Sequence, residues 1–222
     1  MDYPYVWFGL ATLVFWAAVF AACRETRRAQ LWMSSLGLIG GPMLDFWVYA
    51  YDFWRPSQPS IPWGSMFFGF GFLGIVVALT ISARGHVLRP EREQTVPRHV
   101  KVGILAGLAA TILIAGLIGV NSVLATALGL IVGAVAISYT RNDLIHLVWR
   151  GMWVSLVAYV LLMAGTLGLA SDPATLAKSY SSFYVRNGPF ITGALVLFWS
   201  AAFGAFVGPL YPWGKNLRLA SA

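Results

Sequence analysis

The chain has 222 residues, of which 59% are hydrophobic and only 10% charged, and its mean hydropathy is +0.73. Soluble domains carry roughly 25% charged residues, so this composition excludes an ordinary soluble domain and indicates a polytopic membrane protein. The net charge of +7 arises from 15 basic and 8 acidic residues, and the placement of the basic ones decides between a nucleic-acid partner and a topology signal.

Seven apolar stretches approach the ~20 residues that a bilayer requires. They are Tyr5–Ala22, Leu31–Tyr51, Gly64–Ser82, Val102–Val120, Val123–Tyr139, Gly151–Ala170 and Phe190–Leu210. The loops between them alternate in charge. One side holds Arg24, Arg27, Arg28, Arg84, Arg89, Arg92, Arg98, Lys101, Arg141, Arg150, Lys215 and Arg218; the other holds Arg55, Lys178 and Arg186, a ratio of 12 to 3. The positive-inside rule then puts the N-terminus outside and the C-terminus in the cytoplasm. The positive charge is a topology signal, with anionic lipid headgroups as a secondary partner, and no nucleic-acid partner is expected. Met1-Asp2-Tyr3-Pro4 lacks the basic start of a signal peptide. Cys23 is the only cysteine, so no intramolecular disulfide can form.

The second span carries Asp45, the only acidic residue well inside an apolar stretch. A carboxylate at mid-membrane costs at least ~2.5–3.5 kcal/mol on insertion scales, which makes it a functional candidate by default. The structural alternative is a helix-to-helix hydrogen bond, to Ser34, Ser35 or a tyrosine of another span. Gly40-Gly41-Pro42 lies one turn before Asp45, and a proline there frees a backbone carbonyl; it is read either as a polar pocket or as an ordinary packing kink. Asp52 lies seven residues after Asp45, on the same helical face, and has Arg55 nearby as a pairing partner.

The third span contains FFGFGF (Phe67–Phe72), whose alternating glycines admit either a flat hydrophobe or a neighbouring helix. Spans four and five form a hairpin about Asn121-Ser122. They hold the small-residue pairs Gly103/Gly107 and Gly129/Gly133, while all 33 aromatic residues lie outside 102–138. The sixth span is expected to begin early, with Asn142 or Asp143 as its cap and Arg150 snorkelling, and to end at Ser171-Asp172-Pro173. His86, His99 and His146 show no metal-ligand spacing with Cys23. Lysines occur only at 101, 178 and 215, all outside the last span, which excludes a retinal Schiff base there; Asp143 alone cannot bind the magnesium of a prenyltransferase. No cofactor is expected.

The predicted fold is therefore all-α, with about seven transmembrane helices in one membrane domain. Residues 1–82 and 123–210 each read as a three-helix unit in which a basic segment, ETRRAQ or YTRND, precedes the middle span. The helix at 102–120 is the odd connector that a parallel repeat requires. FFGFGFLG (Phe67–Gly74) and WSAAFGAFVG (Trp199–Gly208) match weakly.

RRAQLWMSSLGLIGGPMLDFWVYAYDFWRP, with the following SMFFGFGFLGIVVAL and the C-terminal WSAAFGAFVGPLYPW, resembles the lycopene cyclase domain family of heterodimeric carotenoid cyclases. The resemblance implies a helical bundle, in a prokaryotic plasma membrane, that cyclises or isomerises an isoprenoid by protonation. Asp45 would be the acid and Asp52 the second acid or base. Trp47, Tyr49, Trp54, Phe68, Phe70, Phe72, Trp199 and Phe203 would bind the polyene and stabilise its cation. The family's paired acids, however, match Gly64-Ser65 and Leu195-Val196 here. Two readings follow: an enzyme resting on Asp45, or a non-catalytic protein that binds a polyisoprenoid or supports a membrane complex. A partner membrane subunit supplying the missing acids stays open.

Overall fold

A computed structural model describes residues 4–50, 63–82, 86–91, 95–169 and 181–221, some of them in backbone only. Among these are seven α-helices: α1 (Pro4–Ala22), α2 (Arg27–Ala50), α3 (Trp63–Ile81), α4 (Arg98–Leu117), α5 (Ser122–Thr140), α6 (Ile145–Leu169) and α7 (Ser181–Lys215). Each coincides with one apolar stretch, and the protein is an all-α membrane protein. Helices α3 to α7 each contain a segment long and apolar enough to cross a bilayer, and α1 with α2 qualifies as a pair bent by 106°. Contact order resolves that pair. Along α3, Gly9, Thr12 and Trp16 of α1 meet Gly64, Gly71 and Gly74, whereas Ser34, Gly37 and Gly41 of α2 meet Gly74, Gly69 and Ser65. α1 runs parallel to α3 and α2 antiparallel to it, so the turn at Arg24–Thr26 reverses the chain.

The two three-helix units pack alike. α3 lies against both α1 and α2, whose backbones stay apart and which meet through side chains such as Trp16 on Ser34; α7 lies against both α5 and α6 in the same way. A 3-10 turn precedes the middle helix in each, at Arg24–Thr26 and Asn142–Leu144. The seam between middle and last helix repeats residue by residue. Gly37 abuts Gly69 and Gly41 abuts Ser65, as Gly151 abuts Gly204 and Ser155 contacts Ser200. A Cβ at any of the four positions 37, 69, 151 or 204 would run into the partner's backbone carbonyl, which is why glycine stands there. The seam register sets Ser200, not Val196, opposite Ser65 in the repeat. FFGFGF resolves as helix packing for both of its glycines, Gly69 closing on Gly37 and Gly41 and Gly71 on Thr12; Gly74, just beyond it, closes on Ser34 and Trp16.

Several expectations are corrected. Gly129 and Gly133 do pack closely, on Ile112, Leu108 and Phe206, but a Cβ at Gly103 or Gly107 would meet nothing within 4 Å. α4 is mostly exposed, as a helix facing lipid is. The hairpin turn runs from Ile118 through Gly119 (φ +83) to Asn121, longer than two residues. Asn121 caps α5, its Oδ1 accepting from the Val123 and Leu124 amides at 3.0 and 3.4 Å. α6 starts early, as expected, yet Asp143 does not cap it: both carboxylate oxygens accept from the Arg141 guanidinium at 2.7 Å, a charge-assisted bidentate pair stronger than a cap. Arg150 donates to the Ser82 carbonyl at 2.8 Å, closing the end of α3. The proposed stop at Ser171-Asp172-Pro173 lies outside the described residues. α7 is 35 residues long and passes through Pro189, Pro209 and Pro212. At 1.5 Å per residue it spans about 52 Å and outruns the ~30 Å hydrocarbon core.

A feature the hydropathy profile does not contain closes the basic end. Strand β1 (His86–Pro90) pairs antiparallel with β2 (Leu217–Ser221), in register His86↔Ser221 to Pro90↔Leu217. Asn216, at φ +48, ends α7 in the left-handed conformation. Its Oδ1 accepts from Lys101 Nζ at 2.9 Å and from the Val96 amide at 3.2 Å. Arg141, fully buried, also donates to the Leu217 carbonyl at 2.9 Å, and Trp213 Nε1 donates to Thr140 Oγ1 at 3.1 Å. These contacts tie the tail to the ends of α4 and α5, and they gather the described basic residues of the 12-residue set at one end of the bundle.

Candidate ligand-binding cavity

Between the two units lies a cavity of about 330 Å³, lined by side chains of α1, α2, α3, α5, α6 and α7. Its rings come from i, i+4 pairs that each present one helical face. On α3, Phe68 lies against the cavity and stacks on Phe72 at 4.9 Å; on α7, Trp199 lies 5.2 Å from Phe203. Phe72, wholly buried, stacks on Phe203 at 5.3 Å and joins the two sets. Phe8 of α1 stacks on Phe68 at 5.1 Å. Tyr159 of α6 sits among them, edge-on to Phe8, Phe72 and Trp199 at 6.3, 6.1 and 6.5 Å. Aromatic pairs of this geometry contribute about 0.5–1.5 kcal/mol each beyond area burial. The wall is consequently stiff, and it presents ring faces and edges to whatever occupies the space.

The opposite wall differs. α2 supplies Leu36, Gly37, Gly40, Gly41 and Leu44, and α5 supplies Val123 and Leu130. These two helices bring backbone and aliphatic groups and no ring, whereas α3 and α7 set Leu73, Val196, Val207 and Leu210 beside theirs. Along α7 the lining runs from Val196 to Leu210, about 21 Å of helix, so the space is elongated along the bundle. Ser65 and Tyr159 bring the hydroxyls of the described lining, and no carboxylate is among its described residues.

Of the residues singled out from sequence, Phe68, Trp199 and Phe203 line the cavity and Phe72 backs it. Phe70 is a correction. It faces away, 5.0 Å from Trp16, because two residues along a helix turn the side chain to the other side. Trp47 and Tyr49 belong to α2 in backbone only, as does Asp45, while Asp52 and Trp54 lie outside the described residues. The suggested anchors for Asp45 are engaged: Ser34 Oγ accepts from Trp16 Nε1 at 2.9 Å, and Ser35 Oγ donates to the Leu31 carbonyl at 3.0 Å. Sequence reasoning passed over Phe8, Tyr159 and Phe206. A tyrosine in the middle of the sixth apolar stretch, far from either interfacial belt, was the available signal for Tyr159. Among the described residues no group of three His, Cys, Asp or Glu is placed to hold a metal ion.

Comparison with protein-family models, with curated proteins and with solved structures yields no match. The class of protein rests on the fold and the cavity: an all-α integral membrane protein with an aromatic-lined space between two similarly packed helix units.

Proposed function

We propose that this protein binds a flat, elongated hydrophobic molecule of the isoprenoid or carotenoid class within the bilayer, in the cavity between its two units. The observation that carries this reading is the lining itself: rings from α1, α3, α6 and α7, glycine and aliphatic groups from α2 and α5, spread over about 12 Å of α2 and about 21 Å of α7. A saturated, mobile chain gains little from rigid rings, whereas a planar polyene stacks on them and slides against the glycine surface. The resemblance to the lycopene cyclase domain family narrows the ligand to a polyisoprenoid. Ser65, at a position where that resemblance expects an acid, favours binding without chemistry.

The catalytic alternative has one observation of its own. The seam register equates Gly37 with Gly151 and Gly41 with Ser155, and four residues further it equates position 45 with Tyr159, whose ring lines the cavity. Asp45 thus occupies the α2 position whose counterpart in α6 faces the ligand. Protonated, its carboxyl would deliver a proton to a terminal C=C bond and leave a tertiary carbocation for the ring faces to stabilise. A second C=C bond of the same chain would attack that cation, so that its π electrons form the ring C–C bond and the charge moves to a new tertiary carbon. Loss of a proton from the carbon beside it to a base would then form the ring double bond. The basic end of the bundle faces the cytoplasm in this reading.

Expression in cells that accumulate lycopene tests both. Pigment copurifying unchanged with the wild-type chain supports binding. A new cyclic product that Asp45→Asn abolishes supports the enzyme, and a chain recovered free of pigment or product sinks both.

A further inference from the structure

The two units pack alike internally, but the two contacts between them that the repeat makes equivalent are not alike. In one, α6 packs against α1 through Tyr159 on Phe8, 6.3 Å between ring centres. In the other, α2 and α5 have only marginal contact. Among the described residues that side is fastened towards the basic end, where Trp32 of α2 lies 5.8 Å from Tyr211 of α7 and Lys215 Nζ sits 5.3 Å over the Trp32 ring. Beyond this fastening, Leu36 and Gly40 both line the cavity and are exposed on the outer surface of α2. Ile39 and Met43, 65% and 69% exposed, flank them on the face a bilayer would cover. A Cβ added at Gly40 would meet no atom within 4 Å. Unlike Gly37 and Gly41 beside it, then, Gly40 is not there to let helices approach. What its missing side chain leaves is a passage.

We infer that the gap between α2 and α5, centred on Gly40, is a lateral doorway through which one end of a linear polyisoprenoid enters the cavity sideways from the bilayer. The inference rests on the binding reading above and adds a route to it. The lining of α2 from Leu36 to Leu44 covers about 12 Å of helix, so the opening is a slot in the side of the bundle that admits an end segment of the chain while the rest stays among the lipids. The end of a molecule lying along the lipid chains passes such a slot without leaving hydrocarbon and meets the rings of Phe68 and Trp199 inside. Bulk at position 40 obstructs the slot while leaving the α2–α3 seam untouched.

The test uses the full chain reconstituted in phosphatidylcholine vesicles, mixed with vesicles carrying lycopene, with pigment per protein followed in time after capture. Gly40→Trp is expected to slow both uptake and release at least tenfold, since an obstructed doorway slows passage in both directions. Gly165→Trp, a substitution at another glycine with nothing within 4 Å and outside the lining, is expected to load as wild type. Wild-type rates in Gly40→Trp overturn the doorway. So does slow uptake with faster release, which means that the tryptophan crowds the bound pigment instead of barring its path. A wild-type chain that takes up no lycopene refutes the binding reading, and the doorway with it.

Discussion

Substituting alanine for glycine has opposite consequences at two sets of positions that look the same in sequence. In a helix interior alanine is favoured over glycine by about 0.8–1.0 kcal/mol, and that gain applies equally to Gly69 and to Gly103. At Gly103 the new methyl meets nothing within 4 Å, so Gly103→Ala should stabilise the chain by up to about 1 kcal/mol. At Gly69 it overlaps the Gly37 carbonyl and comes within 3.0 Å of the Gly41 Cα. Backbone cannot swing aside as a flexible side chain can, so α2 and α3 must separate, at an overpacking cost of about 1–3 kcal/mol. Propensity cancels between the two variants, and their difference in stability is that overpacking cost, roughly five- to a hundredfold in the unfolding equilibrium. Titration with sodium dodecyl sulfate from dodecylmaltoside micelles, followed by far-ultraviolet circular dichroism, reads it. The helix seam is the wrong account of these glycines if Gly69→Ala and Gly103→Ala shift the midpoint in the same direction by the same amount.

Two further outcomes are expected. Phe203→Leu removes ring contacts to Phe72 and Trp199 at 5.3 and 5.2 Å; at about 0.5–1.5 kcal/mol per pair the polyene wall loosens, and pigment titration should show lycopene affinity falling severalfold while far-ultraviolet circular dichroism stays unchanged. Arg141→Met deletes three hydrogen bonds, two to Asp143 and one to the Leu217 carbonyl. Since bonds involving a charged group contribute about 1.5–3 kcal/mol each and Asp143 is 30% exposed and can rehydrate, the tail should detach before the bundle melts. Hydrogen exchange should accelerate at the β2 amides and leave α3 protected, and equal acceleration in both would contradict a local role for Arg141.

Hydropathy alone placed the seven described helices because each is a run of apolar residues long enough to be counted. It missed the β1–β2 pair for a physical reason: Leu88 and Leu219 are partners 131 residues apart in strands of five, and no local window registers such a pairing. α7 outran its predicted limits because Gly188-Pro189 reads as a helix breaker, whereas here the helix passes through it. The site was legible in composition but not in direction. FFGFGF announces an aromatic helix, yet the side on which each ring falls depends on neighbours: Phe68 lines the cavity with Phe72 stacked behind it, and Phe70 turns to Trp16. The small-residue pairs carried the same ambiguity. A Gly-x-x-x-Gly spacing states that a helix can be approached closely and does not name the helix that does so, which is why Gly129/Gly133 found partners and Gly103/Gly107 did not.

What distinguishes the two units is more informative than what they share. Their seams agree at Gly37/Gly69 and Gly151/Gly204 and again at Gly41/Ser65 and Ser155/Ser200, so each unit is built around the same last helix. If internal packing were the only demand, equivalent positions elsewhere would tend to agree too. They differ where the cavity is. Tyr159 stands opposite position 45 in the repeat, and one unit offers a tyrosine among rings where the other carries a carboxylic acid on a helix otherwise free of charge from Gln30 to Ala50. The packed contact of α6 on α1 stands opposite the loose one of α2 on α5. Both differences fall on α2, the helix that supplies no aromatic ring to the described lining and nearly all of its glycine. In the proposed reading α2 is thus the working wall of the cavity and the other helices its frame. The acid, the passage and the fastening at Trp32 are all carried by this helix, so substitutions along it should separate ligand entry from ligand chemistry more cleanly than substitutions in the rings.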